Sequence, residues 1–356
     1  MDECNLWSSV MQHLRDCCSD FDSLWITRQR RINTQVMVQG LLHLARGSRR
    51  SYDWVLDQLK SESEKPLAAS SYCEARSRFP AYIVREIRDE ITTFWDEKYS
   101  DDRWHGFRLH AVDGTKVSLP RPLFDEGFQA PASGYCPQGL VSLLLRLDDR
   151  MICDIRLSSH ENERTEACAH LDYLSIRDLV IYDRGYLSFG LLTAHIRQGV
   201  AAVFRVQKGA GFKEVETFWK NKKRETIVTI DPTPPTYRSV KKQFPEYEVE
   251  PIQLRLIKYT IGRQTYVLAT TVLDQSIPAN EFVNLYSRRW LAEETFKALK
   301  QTLELESFHS KSENGVAQEV EARALLWNLT QMLGSMAAPA IKKNSWTDKL
   351  TIAKVC

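Results

Sequence analysis

The chain has 356 residues, of which 43% are hydrophobic, so it is long enough for two or more domains or for one domain with a large insertion. Charged residues make up 26% but nearly cancel to a formal net charge of +2, so the total charge gives little support for a nucleic-acid partner. A secretory start and any run of 18 uncharged apolar residues are missing. We therefore expect a cytoplasmic protein that has no membrane partner.

Cysteines and histidines give no sign of a zinc site. The eight cysteines include no C-x-x-C pair and no Cys/His spacing of a zinc ligand set, which indicates reduced thiols. His160, Glu161 and Glu163 form one polar cluster, and His309 lies in another. We interpret both clusters as loop residues near a ligand or as structural hydrogen-bond partners rather than as metal ligands.

Residues 1–98 are predicted to form an all-helical module, since apolar residues recur at helical spacing, as in Ile83, Ile87 and Ile91. Scattered arginines would suit DNA binding by short helices, although most helical bundles of this kind only pack. Those arginines stand at positions 28, 30, 31, 46, 49, 50, 76 and 78.

The pattern changes to strands over residues 99–207. An extended segment carries Asp113, and two apolar runs at 140–147 and 151–157 have the form of a hairpin. After a helix at 163–175, the wholly apolar run 179–182 reads as a strand buried on both faces that ends in Asp183. A helix at 187–198 and a strand at 200–206 follow, which together predict a mixed sheet covered by helices.

Residues 208–277 are polar and β-like, with strand-like runs at 253–259 and 264–273, and we interpret them as a β-rich insertion. After Pro278 the pattern is helical, through 281–305 and 316–336. These changes predict four segments: 1–98, 99–207, 208–277 and 278–356.

The segment 284–304 carries the most informative pattern. On a continuous helix its polar residues share one face about 80° wide. That face holds Tyr286, Arg289, Glu293, Lys297 and Lys300, and Trp290 borders it. One interpretation is an exposed face tied by pairs at i,i+4, each contributing about 0.3 to 0.5 kcal/mol.

The spacing Y-x-x-R-x-x-x-E-x-x-x-x-x-x-K resembles the signature of the IS-four family of bacterial insertion-sequence transposases. The resemblance extends to nearly the whole chain, because Asp113 is followed by Gly-Thr and Asp183 closes a buried strand. It implies an α/β fold: an RNase H-like catalytic core, interrupted by a β-rich insertion and preceded by an all-helical DNA-binding module.

The same resemblance implies a DNA transposase that cleaves transposon ends and transfers strands with Mg²⁺ or Mn²⁺ held by Asp113, Asp183 and Glu293. Two hard cations bound by carboxylates can activate the nucleophile, neutralise the phosphate and stabilise the leaving oxygen. Its implied partners are double-stranded DNA, as terminal inverted repeats and target, and a second copy of the chain in a homodimeric synaptic complex.

The remaining signature residues are expected to contact DNA. Arg289, Lys297 and Lys300 would hold backbone phosphates, and Tyr286 would donate its hydroxyl to one. Trp290 would stack on an extruded base or else pack in the core. Arg205 would contact a phosphate or remain a solvated charge at a strand end. Two alternatives remain: a silent, regulatory protein that binds transposon ends, and an RNase H-like nuclease that only hydrolyses.

Overall fold

The computed structural model describes residues 3–26, 31–47, 51–60, 67–98, 103–159 and 162–337. The first part is helical, as predicted, and Asn33 caps its third helix by accepting a hydrogen bond from Val36 N at 3.0 Å. Its helices are α1 (Glu3–Asp20), α2 (Asp22–Trp25), α3 (Thr34–Ala45), α4 (Tyr52–Lys60), α5 (Ala69–Arg78) and α6 (Ala81–Lys98). In the described ranges, no helix is both long and apolar enough to cross a membrane.

One eight-stranded mixed sheet forms the centre of the fold, in the order β3-β2-β1-β4-β5-β8-β7-β6. Strands β1, β4 and β5 are parallel, and the other neighbouring pairs are antiparallel. The strands are β1 (Arg108–Ser118), β2 (Gln138–Arg146), β3 (Ile152–Ser158), β4 (Asp178–Tyr182), β5 (Ala201–Val206), β6 (Glu225–Ile230), β7 (Ile252–Ile261) and β8 (Gln264–Thr270).

The later helices cover both faces of this sheet. Side chains alternate between the faces along each strand, so Ile181 packs with the N-terminal helices while its neighbours Val180 and Tyr182 pack in a second core. These helices are α7 (Glu163–His170), α8 (Phe189–Gln198), α9 (Lys213–Lys220), α10 (Pro234–Gln243), α11 (Ala279–Ser287), α12 (Trp290–Gln301) and α13 (Glu313–Ala337).

The predicted β-rich insertion differs from the expectation in two ways. It contains the helices α9 and α10, which bury only Val215, Phe218 and Val240, too few apolar positions for a clear helical pattern. Its strands also continue the core sheet, because β8 pairs with β5 from Val203–Thr270 to Val206–Val267. The insertion is therefore attached to the core by a ladder of backbone hydrogen bonds.

The single helix expected over 281–305 is divided into α11 and α12. Arg288 and Arg289 keep right-handed helical dihedrals, but the turn tightens, since Leu291 N bonds to Arg288 O and Ala292 N to Arg289 O, both at 3.0 Å. Arg288 donates to Asp148 in the β2–β3 turn at 2.7 Å. The bend turns the Arg289 side chain inward, where only 7% of the residue is exposed.

A buried ion pair joins the N-terminal helices to the C-terminal helix α13. Arg76 of α5, 4% exposed, donates to Glu319 Oε1 at 2.6 Å, to Gln318 Oε1 at 2.9 Å and to Gly315 O at 2.9 Å. The expectation that Arg76 contacts DNA is therefore wrong. Arg28, Arg30, Arg49 and Arg50 lie outside the described residues.

We expect Glu319 to make stability depend on pH. Burial raises its pKa, but hydrogen bonding from His309 and the charges of Arg76 and Arg323 outweigh burial and lower the pKa from 4.5 to about 2. A lowered carboxyl pKa contributes stability that is complete above the unfolded value of 4.5 and is lost as pH falls toward about 2. The contribution is on the order of 3 kcal/mol.

Urea unfolding from pH 7 to pH 3 measures this effect in wild type and Glu319→Gln. At pH 7 the variant should lose about 3 to 5 kcal/mol, because Arg76 stays buried without its partner. The difference between the two unfolding free energies should shrink as pH falls from 4.5 to 3, without vanishing, because the native pKa is about 2. A constant difference at every pH would show that the ionised carboxylate is not the stabilising species.

Candidate active site

Asp113 lies within β1, just past the part of that strand that pairs with β4, and Asp183 directly follows the end of β4. The β1–β4 register pairs Arg108 with Asp178 and continues to Ala111 with Ile181, each pair separated by 70 residues. Asp113 and Asp183 have the same separation in sequence. Neighbouring strands are about 4.8 Å apart, so this register brings the two carboxylates to one edge of the sheet.

Helix α12 brings Glu293 to the same edge. The helix packs against β1, and near its C-terminus Lys300 Nζ donates to Lys116 O at 3.3 Å. Glu293 lies in the first turn of α12, and its charge acts directly on Asp113. The structure therefore brings together the three carboxylates that the sequence singled out.

The guanidinium of Arg289 lies among these carboxylates. It hydrogen-bonds to Glu293, and its positive charge favours the ionised form of both Asp113 and Asp183, which is a contribution that lowers the pKa of each. Although burial lowers the pKa of Arg289, the bond to Glu293 and the charges of Tyr286, Asp183 and Glu293 together outweigh burial and raise that pKa. Arg289 is thus a permanent cation in the centre of the cluster.

The two aspartates differ in their electrostatic environment. Burial raises the pKa of Asp183. The backbone N–H of Arg184, the charge of Arg289 and the Tyr286 hydroxyl, which donates at 3.0 Å, outweigh burial and hold that pKa below its ordinary value. For Asp113, burial dominates and raises the pKa to about 6, with Glu293 and Glu163 adding repulsion. Asp113 therefore takes up a proton more readily than Asp183 does.

The donor set fits a hard divalent cation, since it consists of carboxylates in a negatively charged recess. In the described part of the chain, however, no three His, Cys, Asp or Glu side chains stand ready to hold a metal ion. The physical reason is that Glu293 is turned toward Arg289, while Asp183 accepts from Tyr286.

The other predicted site residues differ in their solvent exposure and in their contacts. Trp290 is 60% exposed, and its Nε1 donates to Glu294 at 3.2 Å, so its ring is not part of the core. Lys297 is exposed. Lys300 also pairs with Glu306 at 3.1 Å. Arg205 approaches Asp183 at 4.0 Å.

A basic and aromatic cleft lies beside Asp183, and of its lining residues the sequence analysis singled out only Arg205. Its volume is about 480 Å³, and its lining includes Arg184, Arg205, Lys208, Arg263, Trp219 and Tyr266. Arg205 lies 4.9 Å from the centre of the Tyr266 ring, and Lys208 lies 5.5 Å from that of Trp219. The signal in the sequence is weak, because Arg205 in β5 and Tyr266 in β8 become neighbours only when these two strands pair in the sheet.

Comparisons with known proteins agree with this geometry. Residues 104–329 match the family model described as "Transposase DDE domain". The chain is 25% identical over 351 residues to "Transposase InsG for insertion sequence element IS4" of Escherichia coli (strain K12), covering 92% of this chain and 76% of that protein.

The fold is also similar to that of a solved transposase. A cryo-EM structure of the piggyBac transposase synaptic complex with hairpin DNA superimposes with a TM-score of 0.53 at 12% identity, covering 99% of this chain and 79% of that chain. This similarity supports the RNase H-like fold with a helical N-terminal region. Divalent metal ions are the general cofactors of DDE enzymes, and DNA is their substrate. The chain belongs to the family of proteins with a transposase DDE domain and is a DNA transposase.

Proposed function

We propose that Asp113, Asp183 and Glu293 bind Mg²⁺ or Mn²⁺ and that the chain cleaves DNA at the terminal inverted repeats of its own element before joining it to target DNA. The observation that carries this proposal is the meeting of the three carboxylates with Arg289 where the pairing of β1 with β4 ends. Two bound cations would supply an activated water or 3′-hydroxyl and stabilise the departing 3′-oxygen.

The protein's own groups orient the scissile phosphate. Once Glu293 turns toward a cation, Arg289 can grip two phosphate oxygens, since its planar fork matches their geometry. The Tyr286 hydroxyl, now bonded to Asp183 at 3.0 Å, would donate to a neighbouring phosphate oxygen. Lys300 and Lys297 would bind the backbone farther along α12 as point charges.

Bases beside the cleavage point would contact aromatic side chains. The exposed Trp290 ring offers a face for stacking on an extruded base. Arg205 lies between Asp183 and the cleft, where it would neutralise a phosphate. These placements support a DNA path that runs from α12 across Asp183 toward the cleft.

Residues 1–98 are proposed to recognise the terminal repeats, and a homodimer is proposed to hold two ends together. The exposed Arg31 supports the first assignment. The helical segment shares its core with α13, because α3 and α6 both pack on that helix. Its role should therefore be tested by substitutions of exposed residues, since deleting it would strip α13 of its partners.

The two alternative functions fit the site less well. A silent protein that only binds transposon ends has no need for three carboxylates gathered around one buried arginine. A nuclease that only hydrolyses would account for the carboxylates but not for the phosphate-binding set of Tyr286, Arg289 and Lys300. In strand transfer these residues would hold a second DNA in line.

The metal requirement tests the proposal directly. On a fragment carrying one transposon end, Mg²⁺ and Mn²⁺ should support nicking, whereas Ca²⁺ should support binding without nicking, because Ca²⁺ takes a looser and higher coordination. Nicking and gel shift are measured on the same fragment, with EDTA as control. Turnover in EDTA would contradict the metal mechanism.

A further inference from the structure

Glu163, the first residue of α7, reaches the aspartate pair from the side opposite Glu293's helix. A Cβ atom added to Gly114 would lie 3.2 Å from Glu163 Oε1 and 3.3 Å from its Cγ. Gly114 directly follows Asp113, so the Glu163 carboxylate lies over the backbone next to Asp113. Only a residue without a side chain leaves this approach open.

The start of α7 is tied to the loop that follows the second aspartate. Arg164 Nε donates to Gly185 O at 2.9 Å, and Gly185 comes two residues after Asp183. Asn162 caps the helix by accepting from Arg164 N at 3.1 Å. Helix α7 also packs against β1. The first turn of α7, which carries Glu163, is therefore fixed between β1 and the loop that follows Asp183.

A buried hydroxyl faces the same point. Tyr186 is 2% exposed, and within the described part of the chain its Oη atom has no hydrogen-bond partner. Glu163, Asp113 and Asp183 are the carboxylates whose charges act on it. A buried O–H group without a partner is costly, so this hydroxyl is positioned to bond to something bound among those carboxylates.

We propose that Glu163 is a fourth carboxylate of the active site, binding a divalent cation together with Asp113, and that the Tyr186 hydroxyl orients a water of that cation. The inference rests on the proposed metal site and extends it. It revises the interpretation of Glu163 as a loop or structural residue, whereas His160 and Glu161 lie outside the described residues. The competing role is purely structural, because a carboxylate at a helix N-terminus stabilises the helix dipole.

Binding of Mn²⁺ to the full-length protein without DNA separates these roles. Titration calorimetry should show that Glu163→Gln weakens Mn²⁺ binding about tenfold or more and that Tyr186→Phe weakens it by a smaller factor, as outer groups of metal sites do. Asp172→Asn is the matched control, since Asp172 is an exposed carboxylate two residues beyond α7. Its Mn²⁺ affinity should equal that of wild type.

The rise in Tm on adding Mn²⁺, measured against each variant's own metal-free Tm, gives a readout that a change in basal stability does not affect. The rise should be smaller in Glu163→Gln than in wild type. A wild-type rise and affinity in Glu163→Gln, alongside lost binding in Asp113→Asn, would overturn the role of Glu163 and leave the proposed function standing. No Mn²⁺ binding by wild type would overturn both.

Discussion

Replacing Asp113, Asp183 or Glu293 with alanine should reduce cleavage of a transposon-end fragment by about a thousandfold or more, because each loss removes several kcal/mol of metal-assisted transition-state stabilisation. Binding to the same fragment should stay nearly intact, since these residues serve the metal and the phosphate contacts come from other side chains. Tm should not fall in Asp113→Ala, because a buried carboxylate beside Glu293 does not stabilise the metal-free fold.

Nicking and gel-shift assays on one labelled end fragment measure both quantities. Asp172→Ala provides a control that removes a negative charge without approaching the site. If any of the three alanine variants cleaves at a rate near wild type, that residue is not part of the catalytic centre.

Arg289→Ala and Lys300→Ala should both lower cleavage by about a hundredfold, since a small misplacement of the reacting groups costs that much in rate. The two should differ in stability. Lys300 pairs with Glu306 at the surface, so its loss should cost less than about 1 kcal/mol. Loss of Arg289 leaves Glu293 without its partner beside Asp113, so the metal-free Tm should drop and Mn²⁺ should recover part of it.

Glu306→Gln distinguishes the phosphate role of Lys300 from its ion pair. This variant breaks the pair with Lys300 but leaves the ammonium in place, so cleavage should remain normal. Lys300→Arg should rescue only partly, because a planar guanidinium differs in shape and reach from an ammonium. Near-normal cleavage by both alanine variants would mean that Arg289 and Lys300 do not hold phosphates and serve packing alone.

The sequence predicted the strands β1 to β5, β7 and β8, because those depend on local patterns, whereas β6 was not predicted. The wholly apolar run before Asp183 can only be a buried strand, and its separation from Asp113 reflects the strand register. The break at Arg288 and Arg289 was not predicted, because no glycine or proline marks it and Arg288 meets its partner Asp148 only in the folded chain, 140 residues away in sequence. A continuous helix therefore placed Arg289 on an exposed face, whereas the folded chain buries it.

Arg76 shows the same limit for charge patterns. In sequence it is one of several arginines in a helical segment, and its partner Glu319 lies 243 residues away. Nothing in a local window distinguishes a buried cation from a DNA contact. Apart from Arg205, the lining of the cleft beside Asp183 was missed for a related reason, since Arg205 and Tyr266 meet only through the pairing of β5 with β8.

The continuous ladder from β4 through β5 to β8 has a consequence for how such enzymes diversify. Strand positions are fixed by backbone hydrogen bonds, so the cleft lies at a set distance from Asp183, in steps of about 4.8 Å, whichever side chains line it. The hairpin turn at Gly262, with its positive φ of 60°, lies beyond the paired strands and can change length freely. Substitutions at Lys208, Arg263 or Tyr266 would therefore change the lining of the cleft without moving the strands that carry Asp113 and Asp183.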